Sequence, residues 1–315
     1  MRLILTLVRH GESTDNLKSL WAGWRDSALS NHGMSQAKLL GESLTDYPIK
    51  AIIASDLTRA RWTAEQILQH NKSNPPPSFT LTHLLREQSF GKGEGKSWQQ
   101  AQWQRKVGQV HFHKSAHAVR QSGRDFKFED GESLHDVAAR AEEVIENMIM
   151  PYVMASAISG EETHVFVVAH GILLAELQYA LLKRRPQGIA AFQRSPLENT
   201  GWHRIQIGLG TPAQASVMAD GGDGIETEQH KQEQKTPNNT IEQQESLVEG
   251  PPDELNLATP LTESIPPTKD HLKPKKLDVR YTHISEAGHL RDMTRAKMTA
   301  SMAFDERQMK ITDLM

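Results

Sequence analysis

The sequence predicts an α/β protein: a three-layer α/β/α sandwich with a largely parallel central sheet, followed by a disordered C-terminal tail. Apolar runs of strand length alternate along the chain with segments of helical periodicity, which is the order expected of a parallel sheet covered by helices. The runs lack polar alternation, as is typical of strands buried on both faces. Most of the last third of the chain shows neither pattern.

The predicted strands are short aliphatic runs. The run at 3–8 ends in Arg9-His10-Gly11, and the run at 164–169 ends in His170-Gly171. In a parallel sheet such ends lie at the edge where binding sites collect. Further strands are predicted at 49–54, 79–85 and 202–207.

Helical spacing is clearest after Gly33, where Ala37, Leu40 and Leu44 share one face. Ser55-Asp56 is a helix-start signal, and a run of three prolines at 75–77 ends the helix that follows. On the same grounds, helices are predicted at 34–44, 58–69, 132–150 and 172–182.

The C-terminal third of the chain is polar. Residues 211–280 contain no Phe, Trp or Tyr, so this segment cannot bury enough apolar surface to offset the entropy lost on ordering. We therefore predict a folded domain at 1–209 and a mostly disordered tail at 210–315. A short helix is expected in the tail near 285–304. A chain that ends at residue 210 is expected to keep its activity.

Composition excludes several classes of function. The net charge of −3 provides no general attraction to nucleic acid or to anionic membranes, so neither is an expected partner. The absence of cysteine excludes disulfides, thiolate metal sites and cysteine nucleophiles. The apolar N-terminal run is too short for a signal peptide or a membrane span. We expect a cytoplasmic protein that acts on a small molecule, and a protein partner for the tail stays open.

Three predicted strand ends carry reactive side chains. Arg9 and His10 follow the first strand, Arg59 lies after the second, and His170 follows the fourth. Two guanidinium and two imidazole groups would form a cationic pocket that suits a phosphoryl group. Neutral imidazole is a nucleophile, and nearby arginines favour its neutral form. Glu87, after the third strand, is the candidate proton donor.

Each of these residues also has a plain structural interpretation. A strand-end histidine such as His170 is often only a hydrogen-bonded turn residue, and Glu87 could be a surface carboxylate paired with Arg86. The residues alone leave the two interpretations of Glu87 equally open. Because neighbouring parallel strands would bring all three strand ends into one crevice, their coincidence favours a site.

Six motifs follow one another between residue 3 and about residue 207. They are RHGESTDN at 9–16, LSNHGMSQA at 29–37, SDLTRARWTA at 55–64, LRE at 85–87 with the glycine-rich 90–95, GES at 131–133 with Arg140, and VVAHG at 167–171. In this order they resemble the histidine phosphatase superfamily, in its phosphoglycerate-mutase-like branch. One departure is Ile172, where many members have a second glycine. The tail has no counterpart in the family.

The resemblance implies a mechanism that needs neither a metal ion nor a cofactor, because arginines supply the positive charge. His10 would attack phosphorus to form a phosphohistidine. Glu87 would protonate the leaving oxygen and then accept a proton from water. The implied catalytic set is His10, Glu87, His170, Arg9 and Arg59, and the implied phosphate-binding set is Arg9, Asn16, Arg59, His170 and Gly171.

The resemblance also bears on the substrate. Arg86 before Glu87, and the Gly-x-x-Glu-Gly sequence after it, are similar to the phosphatase side of the branch, in particular to the TIGAR-type fructose-2,6-bisphosphatases. The expected function is a metal-independent phosphatase acting on a small phosphate ester, such as the sugar bisphosphate fructose 2,6-bisphosphate. Alternatives are a phosphoglycerate mutase, a protein phosphatase, and a non-catalytic binding module that uses the tail.

A basic insert lies between the third and fourth predicted strands. No Asp or Glu occurs from Gln99 to Arg124, whereas Arg and Lys are frequent there. As a lid the insert would favour a substrate with a second anionic group, and otherwise it is a solvated loop. Its three histidines, His111, His113 and His117, have no carboxylate or cysteine beside them, so a metal site is not expected.

Overall fold

The fold is built on a six-stranded, mostly parallel sheet. The computed structural model describes residues 2–97, 103–106, 109–112, 123–186, 188, 197–210 and 276–293, with 103–106 and 109–112 as backbone only. The sheet strands are β1 (Leu3–Arg9), β2 (Ala51–Ser55), β3 (Ser78–Thr82), β6 (Thr163–Ala169), β7 (Trp202–Leu209) and β8 (Leu277–Glu286), and a separate antiparallel pair consists of β4 (Trp103–Lys106) and β5 (Gln109–Phe112).

The strand order across the sheet is β3-β2-β6-β1-β7-β8. The first four of these strands run parallel, whereas β7 is antiparallel to β1 and β8 is antiparallel to β7. Each parallel connection passes through helical segments, as crossovers between parallel strands require. The largely parallel sheet predicted from the aliphatic runs is confirmed.

The helices occupy both faces of the sheet. They are α1 (Thr14–Leu17), α2 (Asn31–Ser43), α3 (Thr58–His70), α4 (Leu134–Val144), α5 (Met150–Ser159) and α6 (Gly171–Lys183). A π-helical turn at Ile145–Ile149 joins α4 to α5, so the helix predicted at 132–150 starts at 134 and continues to 159. Single 3₁₀ turns lie at His83–Leu85, Gly91–Gly93 and Gly288–Leu290.

Alternate residues of the strands pack on opposite layers. Val8, Ile52 and Phe166 face the layer of α2 and α3, where they form one buried cluster with Leu40 and Ile67. Their sequence neighbours belong to a second buried cluster with α4, α5 and α6. Because both faces are covered, the strands can be apolar throughout, which is what made them recognisable in the sequence. The predicted three-layer sandwich is confirmed.

The third strand is shorter than predicted. The aliphatic run suggested a strand over 79–85, but β3 ends at Thr82, whose side chain accepts a hydrogen bond from the backbone of Leu84. This bond starts a 3₁₀ turn that buries Leu85. An apolar residue at the end of a run therefore marked a buried turn, which periodicity alone cannot distinguish from a strand.

The sixth strand lies in the segment that was predicted to be outside the domain. In β8, Leu277 and Val279 are buried in the same cluster as α6, where each contributes roughly 1.5–3 kcal/mol by burial. The strand is also held by an ion pair between Arg2 and Asp278 at 2.8 Å. The domain boundary at 209 was therefore placed too early: a strand far along the chain pairs with β7.

The helix predicted near 285–304 is not formed over the part that the structure describes. Ser285 and Glu286 end β8, and the chain then makes one 3₁₀ turn at Gly288–Leu290. The apolar positions that suggested a helix face belong to this short turn and its neighbours. Residues 294–304, and the remainder of the predicted tail at 211–275, lie outside the described residues. Among the helices described above, none is long and apolar enough to cross a membrane.

Candidate active site

The two histidines of the motifs lie side by side at the carboxyl edge of the sheet. Strands β1 and β6 pair in parallel with Arg9 opposite Ala169, so the next residues, His10 and His170, become neighbours. Their ring centroids are 5.0 Å apart, and both side chains are buried. The register of one strand pair therefore brings together two residues that are 160 positions apart in the sequence numbering.

His10 is held in one tautomer. Its Nδ1 lies 2.6 Å from the carbonyl oxygen of Gly11, and a carbonyl can only accept, so the proton is on Nδ1 and the lone pair is on Nε2. Burial lowers the pKa of His10 well below 6.5, and the charges of Arg59 and Arg9 lower it further. The imidazole is therefore neutral at physiological pH, which is the state a nucleophile requires.

His170 is neutral for the same reasons. Its pKa is lowered well below 6.5, mainly by burial. The charge of Arg59 and the neighbouring His10 lower it further. Its Nε2 lies 2.9 Å from the hydroxyl oxygen of Ser55 at the end of β2, and the backbone of Leu57 donates to the same hydroxyl. The Ser55 hydroxyl can therefore donate to Nε2, which leaves the proton of His170 on Nδ1.

Two arginines approach the histidines. The Arg59 side chain is buried, and its terminal nitrogens donate to the carbonyl oxygens of Arg25 at 2.8 Å and Gly23 at 2.7 Å. Arg9 donates to the carbonyl oxygen of Leu197 at 2.8 Å. Burial lowers the pKa of both guanidinium groups, and the charge of Glu87 opposes this shift. The Nε atoms of Arg9 and Arg59 are buried with no hydrogen-bond partner among the described residues.

Glu87 lies at the N-terminus of α6, the helix that begins directly after His170. Its carboxylate accepts hydrogen bonds from the backbone of Ile172 and Leu173 at 3.1–3.2 Å, and from the backbone of Gln88 at 3.0 Å. A carboxylate at a helix N-terminus is stabilised by the free N–H groups and by the helix dipole. Glu87 is thus a member of the site, and not a surface carboxylate paired with Arg86, because Arg86 pairs with Asp56 at 2.6–2.8 Å.

A positioning role for Arg140 was not recognised in the sequence. Its guanidinium donates to the carbonyl oxygens of Leu84, Arg86 and Glu87 at 2.8–3.0 Å and is itself paired with Glu132. It therefore fixes the turn that carries Glu87. The motif with an arginine seven residues after Gly-Glu-Ser pointed to Arg140. The sequence alone does not show that this arginine donates to the carbonyl oxygens around Glu87.

Asn16 and Gly171 lie at the border of the site. The Asn16 side-chain oxygen accepts from the backbone of Ser13 at 3.0 Å, closing a capping box for α1, so only its amide nitrogen is left to donate to a ligand. A Cβ at Gly171 would lie 3.9 Å from both Arg9 Nε and Glu87 Oε2. The structure thus groups Arg9, His10, Arg59, Glu87 and His170, with Gly171 between two of them and Asn16 beside them.

The turn before β7 also belongs to the site, and it was not predicted. Asn199 donates from its side chain to the carbonyl oxygen of His10 at 3.0 Å, and Thr200 donates from its backbone to the carbonyl oxygen of Arg9 at 3.0 Å. The Asn-Thr-Gly sequence signals only a turn. Its contact with the end of β1 follows from the pairing of β7 with β1.

No group of three or more His, Asp or Glu side chains that could hold a metal ion occurs within the ranges that the structure describes. The three histidines of the basic insert have no described side chains. Arg124, the last residue of the basic segment, forms a two-pronged ion pair with the buried Glu176 of α6.

Comparison with known sequences identifies the family. The sequence matches the Histidine phosphatase superfamily (branch 1) over residues 5–219. It is 36% identical over 188 residues to a 2,3-bisphosphoglycerate-dependent phosphoglycerate mutase of Xanthobacter autotrophicus, covering 59% of this chain and 84% of the relative. A protein of the same name from Brucella melitensis is 36% identical over 193 residues, covering 60% and 86%.

Solved structures show the same fold. A mycobacterial hydrolase aligns with a TM-score of 0.52 at 24% identity, over 66% of this chain and 93% of that chain. A mycobacterial glucosyl-3-phosphoglycerate phosphatase aligns with a TM-score of 0.51 at 24% identity, over 65% and 91%. The sequence match spans β1 to β7 and every residue grouped at the carboxyl edge of the sheet, and the chain therefore belongs to branch 1 of the histidine phosphatase superfamily.

Proposed function

We propose that the protein hydrolyses small phosphate esters through a phosphohistidine on His10. The observation that carries this proposal is a pair of buried Nε–H donors, on Arg9 and Arg59, that have no acceptor among the described residues beside two neutral imidazoles. A buried donor without an acceptor costs about 1–3 kcal/mol. The oxygens of a phosphoryl group are acceptors of matching charge.

In the first half-reaction, the lone pair of His10 Nε2 attacks phosphorus and the bond to the ester oxygen breaks. The Arg9 and Arg59 guanidinium groups and the Nδ1–H of His170 donate to the phosphoryl oxygens. Each such donor contributes about 10²–10³ in rate. No charge on His10 has to be removed first, because its imidazole is already neutral.

Glu87 supplies and recovers the proton. Its Oε1 accepts from three backbone N–H groups, whereas its Oε2 accepts only from the backbone of Ile172 among the described residues and lies 3.9 Å from the position of a Cβ at Gly171, as does Arg9 Nε. We assign the transferable proton to Oε2: it passes to the leaving ester oxygen, and Oε2 then accepts a proton from the water that cleaves the phosphohistidine. Such acid–base catalysis contributes about 10²–10⁴ in rate.

The substrate class is a small phosphate ester, and fructose 2,6-bisphosphate is the specific candidate that follows from the motif resemblance. Phosphoryl transfer back to a product is the second candidate, favoured by the sequence relatives that carry the name phosphoglycerate mutase. The two differ in the acceptor of the phosphoryl group on His10, which is water in a phosphatase and a sugar acid in a mutase.

The test is phosphate release by the purified full chain from sugar bisphosphates, phosphoglycerates, an aryl phosphate and a phosphopeptide, with His10→Ala as control. We expect release from at least one small ester, none by His10→Ala, and no effect of EDTA. Conversion of 3-phosphoglycerate to 2-phosphoglycerate without phosphate release would instead establish the mutase. Release by neither route, or equal release by His10→Ala, would reject the proposal.

A further inference from the structure

The C-terminal segment contacts the site from a part of the chain outside the family match. After β8, the 3₁₀ turn at Gly288–Leu290 places His289 against the turn that precedes β7. His289 Nε2 lies 2.9 Å from the hydroxyl oxygen of Thr200. The match to the superfamily ends at residue 219, so His289 lies outside the matched residues.

The direction of this hydrogen bond can be derived. The Thr200 hydroxyl donates to the carbonyl oxygen of Asn199 at 2.7 Å, so toward His289 it must accept. Burial lowers the pKa of His289 to about 4, which makes its imidazole neutral at physiological pH with a single N–H. That N–H is therefore on Nε2, and it points to Thr200.

Thr200 needs such support because its backbone is strained. Its φ is +59°, a left-handed conformation that is unfavourable for a β-branched residue and that costs about 1–3 kcal/mol. Conformations of this kind persist only where the surroundings hold them. Thr200 is fully buried, and its backbone N–H reaches the carbonyl oxygens of Arg9 at 3.0 Å and His10 at 3.3 Å.

The strained turn holds the nucleophile strand at several points. The Asn199 amide donates to the carbonyl oxygen of His10, and the backbone of Arg9 donates to the carbonyl oxygen of Gly201 at 3.0 Å. Leu197 accepts from the Arg9 guanidinium. A shift of this turn would therefore move the nucleophile and one phosphate-binding arginine together.

We propose that His289 is a positioning residue for the nucleophile: its hydrogen bond to Thr200 keeps the strained turn in the conformation that sets the backbone of Arg9 and His10. Its kinetic consequence rests on the proposed function, whereas its structural consequence does not. His289 directly follows β8, and the pairing of β8 with β7 brings it to the turn that precedes β7.

Four variants of the full chain test the proposal. His289→Ala removes the donor, His289→Gln restores a side-chain N–H, and Thr200→Val removes the acceptor while keeping the β-branched shape. His283→Ala is the matched control, since His283 is an exposed histidine of β8, the strand that precedes the turn carrying His289, and its ring contacts Trp202. The readouts are kcat and KM for an aryl phosphate, and the ligand-free imidazole NMR resonances of His10.

We expect kcat to fall about 10-fold in His289→Ala and in Thr200→Val, because misplacement of a reacting group by a fraction of an ångström has effects of this size. KM should change less than about 2-fold. His289→Gln should recover most of the loss, and the His10 resonances should shift only in the first two variants. The double variant His289→Ala/Thr200→Val should lose no more than either single variant.

Three results would each overturn the proposal. They are a wild-type kcat in folded His289→Ala, an equal loss of kcat in His283→Ala, and unshifted His10 resonances in both His289→Ala and Thr200→Val. If His289→Ala does not fold, wild-type kcat in Thr200→Val overturns it. If the wild-type protein hydrolyses no ester, the proposed function fails, and the His10 resonances alone then decide about His289.

Discussion

At the scale of single residues, chemically identical side chains acquire different roles from their hydrogen bonds. The Gly11 carbonyl leaves the lone pair of His10 on Nε2, whereas the Ser55 hydroxyl leaves the proton of His170 on Nδ1. In the proposed mechanism, these tautomers suit His10 to attack phosphorus and His170 to donate to a phosphoryl oxygen. Neither tautomer can be inferred from the residue type.

The first expected outcome concerns the protonation of His10. Because burial and two arginines lower its pKa well below 6.5, its ring should stay neutral as the pH falls from 8 to 5.5. The measurement is an NMR titration of the His10 imidazole. A titration of His10 near 6.5 would contradict the electrostatic account of the nucleophile.

The second expected outcome concerns Glu87→Gln, which keeps the hydrogen bonds to the start of α6 but removes the transferable proton. Phosphorylation of His10 by an alkyl phosphate should slow by roughly 10²–10⁴, whereas a nitrophenyl ester, whose leaving group needs no proton, should still phosphorylate it. Rapid-quench labelling with alkaline analysis measures both steps. Phosphohistidine should accumulate, because water attack loses its base.

Equal slowing for the two esters without a trapped intermediate would transfer the acid–base role to another carboxylate. Glu12 and Glu94 are the nearest candidates by motif. Both carboxylates already accept hydrogen bonds within the protein. Glu12 accepts from the Ser30 hydroxyl, and Glu94 accepts from the backbone of Trp24 and Phe90. These bonds favour Glu87.

At the scale of elements, the site depends on how the strand ends are joined to their surroundings. Helix α6 contributes its first backbone N–H groups to Glu87, and Arg140 of α4 holds the carbonyls around Glu87. Strand β8 covers β7 on its outer edge. The α6 and α4 helices thus hold Glu87 and the turn that carries it in place.

A third expected outcome follows from β8. Deletion of 211–315 removes the buried Leu277 and Val279 and uncovers the edge of β7, so it should lower the urea midpoint of unfolding strongly and reduce solubility. Replacement of 212–274 by a short Gly-Ser linker is the matched control. The backbone N–H of Gly210 lies 3.2 Å from the carbonyl oxygen of Lys276, so a short linker can join the two segments without displacing β8. The linker variant should therefore keep nearly the same urea midpoint and kcat.

Equal urea midpoints for the truncated and the intact chain would show that β8 contributes nothing to the domain. Loss of stability in the linker variant would show that residues within 212–274 are needed as well. A chain that ends at residue 210 lacks β8, so it is no longer expected to stay active, and the two variants test this directly.

At the scale of the whole molecule, buried neutral histidines couple stability to pH. Burial lowers the pKa of His10, His170 and His289 in the folded state. The unfolded chain therefore binds more protons than the folded one at mildly acidic pH, and stability increases with pH in that range. For His289 the range extends from its folded pKa of about 4 to its ordinary value of 6.5.

The fourth expected outcome is that the urea midpoint is nearly constant from pH 8 to 7 and falls as the pH is lowered from 6.5 toward 4. His289→Gln, which cannot titrate, should show a smaller fall than the wild-type protein. Circular dichroism at several pH values measures the midpoints. A midpoint that rises on acidification from 6.5 to 5 would contradict the sign derived from these three histidines.

The sequence by itself determined the class of fold, and it singled out residues that the structure groups at the carboxyl edge of the sheet. The strands of the parallel sheet are buried on both faces, so their sequences are nearly unbroken aliphatic runs. The carboxyl ends of these strands could therefore be located to within a few residues. His10, Arg59 and His170 were recognisable because they follow such runs, and the register of β1 with β6 then places the two histidines side by side.

The tertiary structure alone decided what depends on contacts between distant segments. Strand β8 begins at the end of a long polar segment without aromatic residues, so it resembled part of a tail, and its stability comes from pairing with β7 and from packing on α6. Three hydrogen-bonded contacts each join residues more than fifty positions apart in the sequence. They are the bonds from the start of α6 to Glu87, from Arg140 to the neighbouring carbonyl oxygens, and between His289 and Thr200. Local patterns report burial and periodicity, and they carry no information about which distant partner satisfies a polar group.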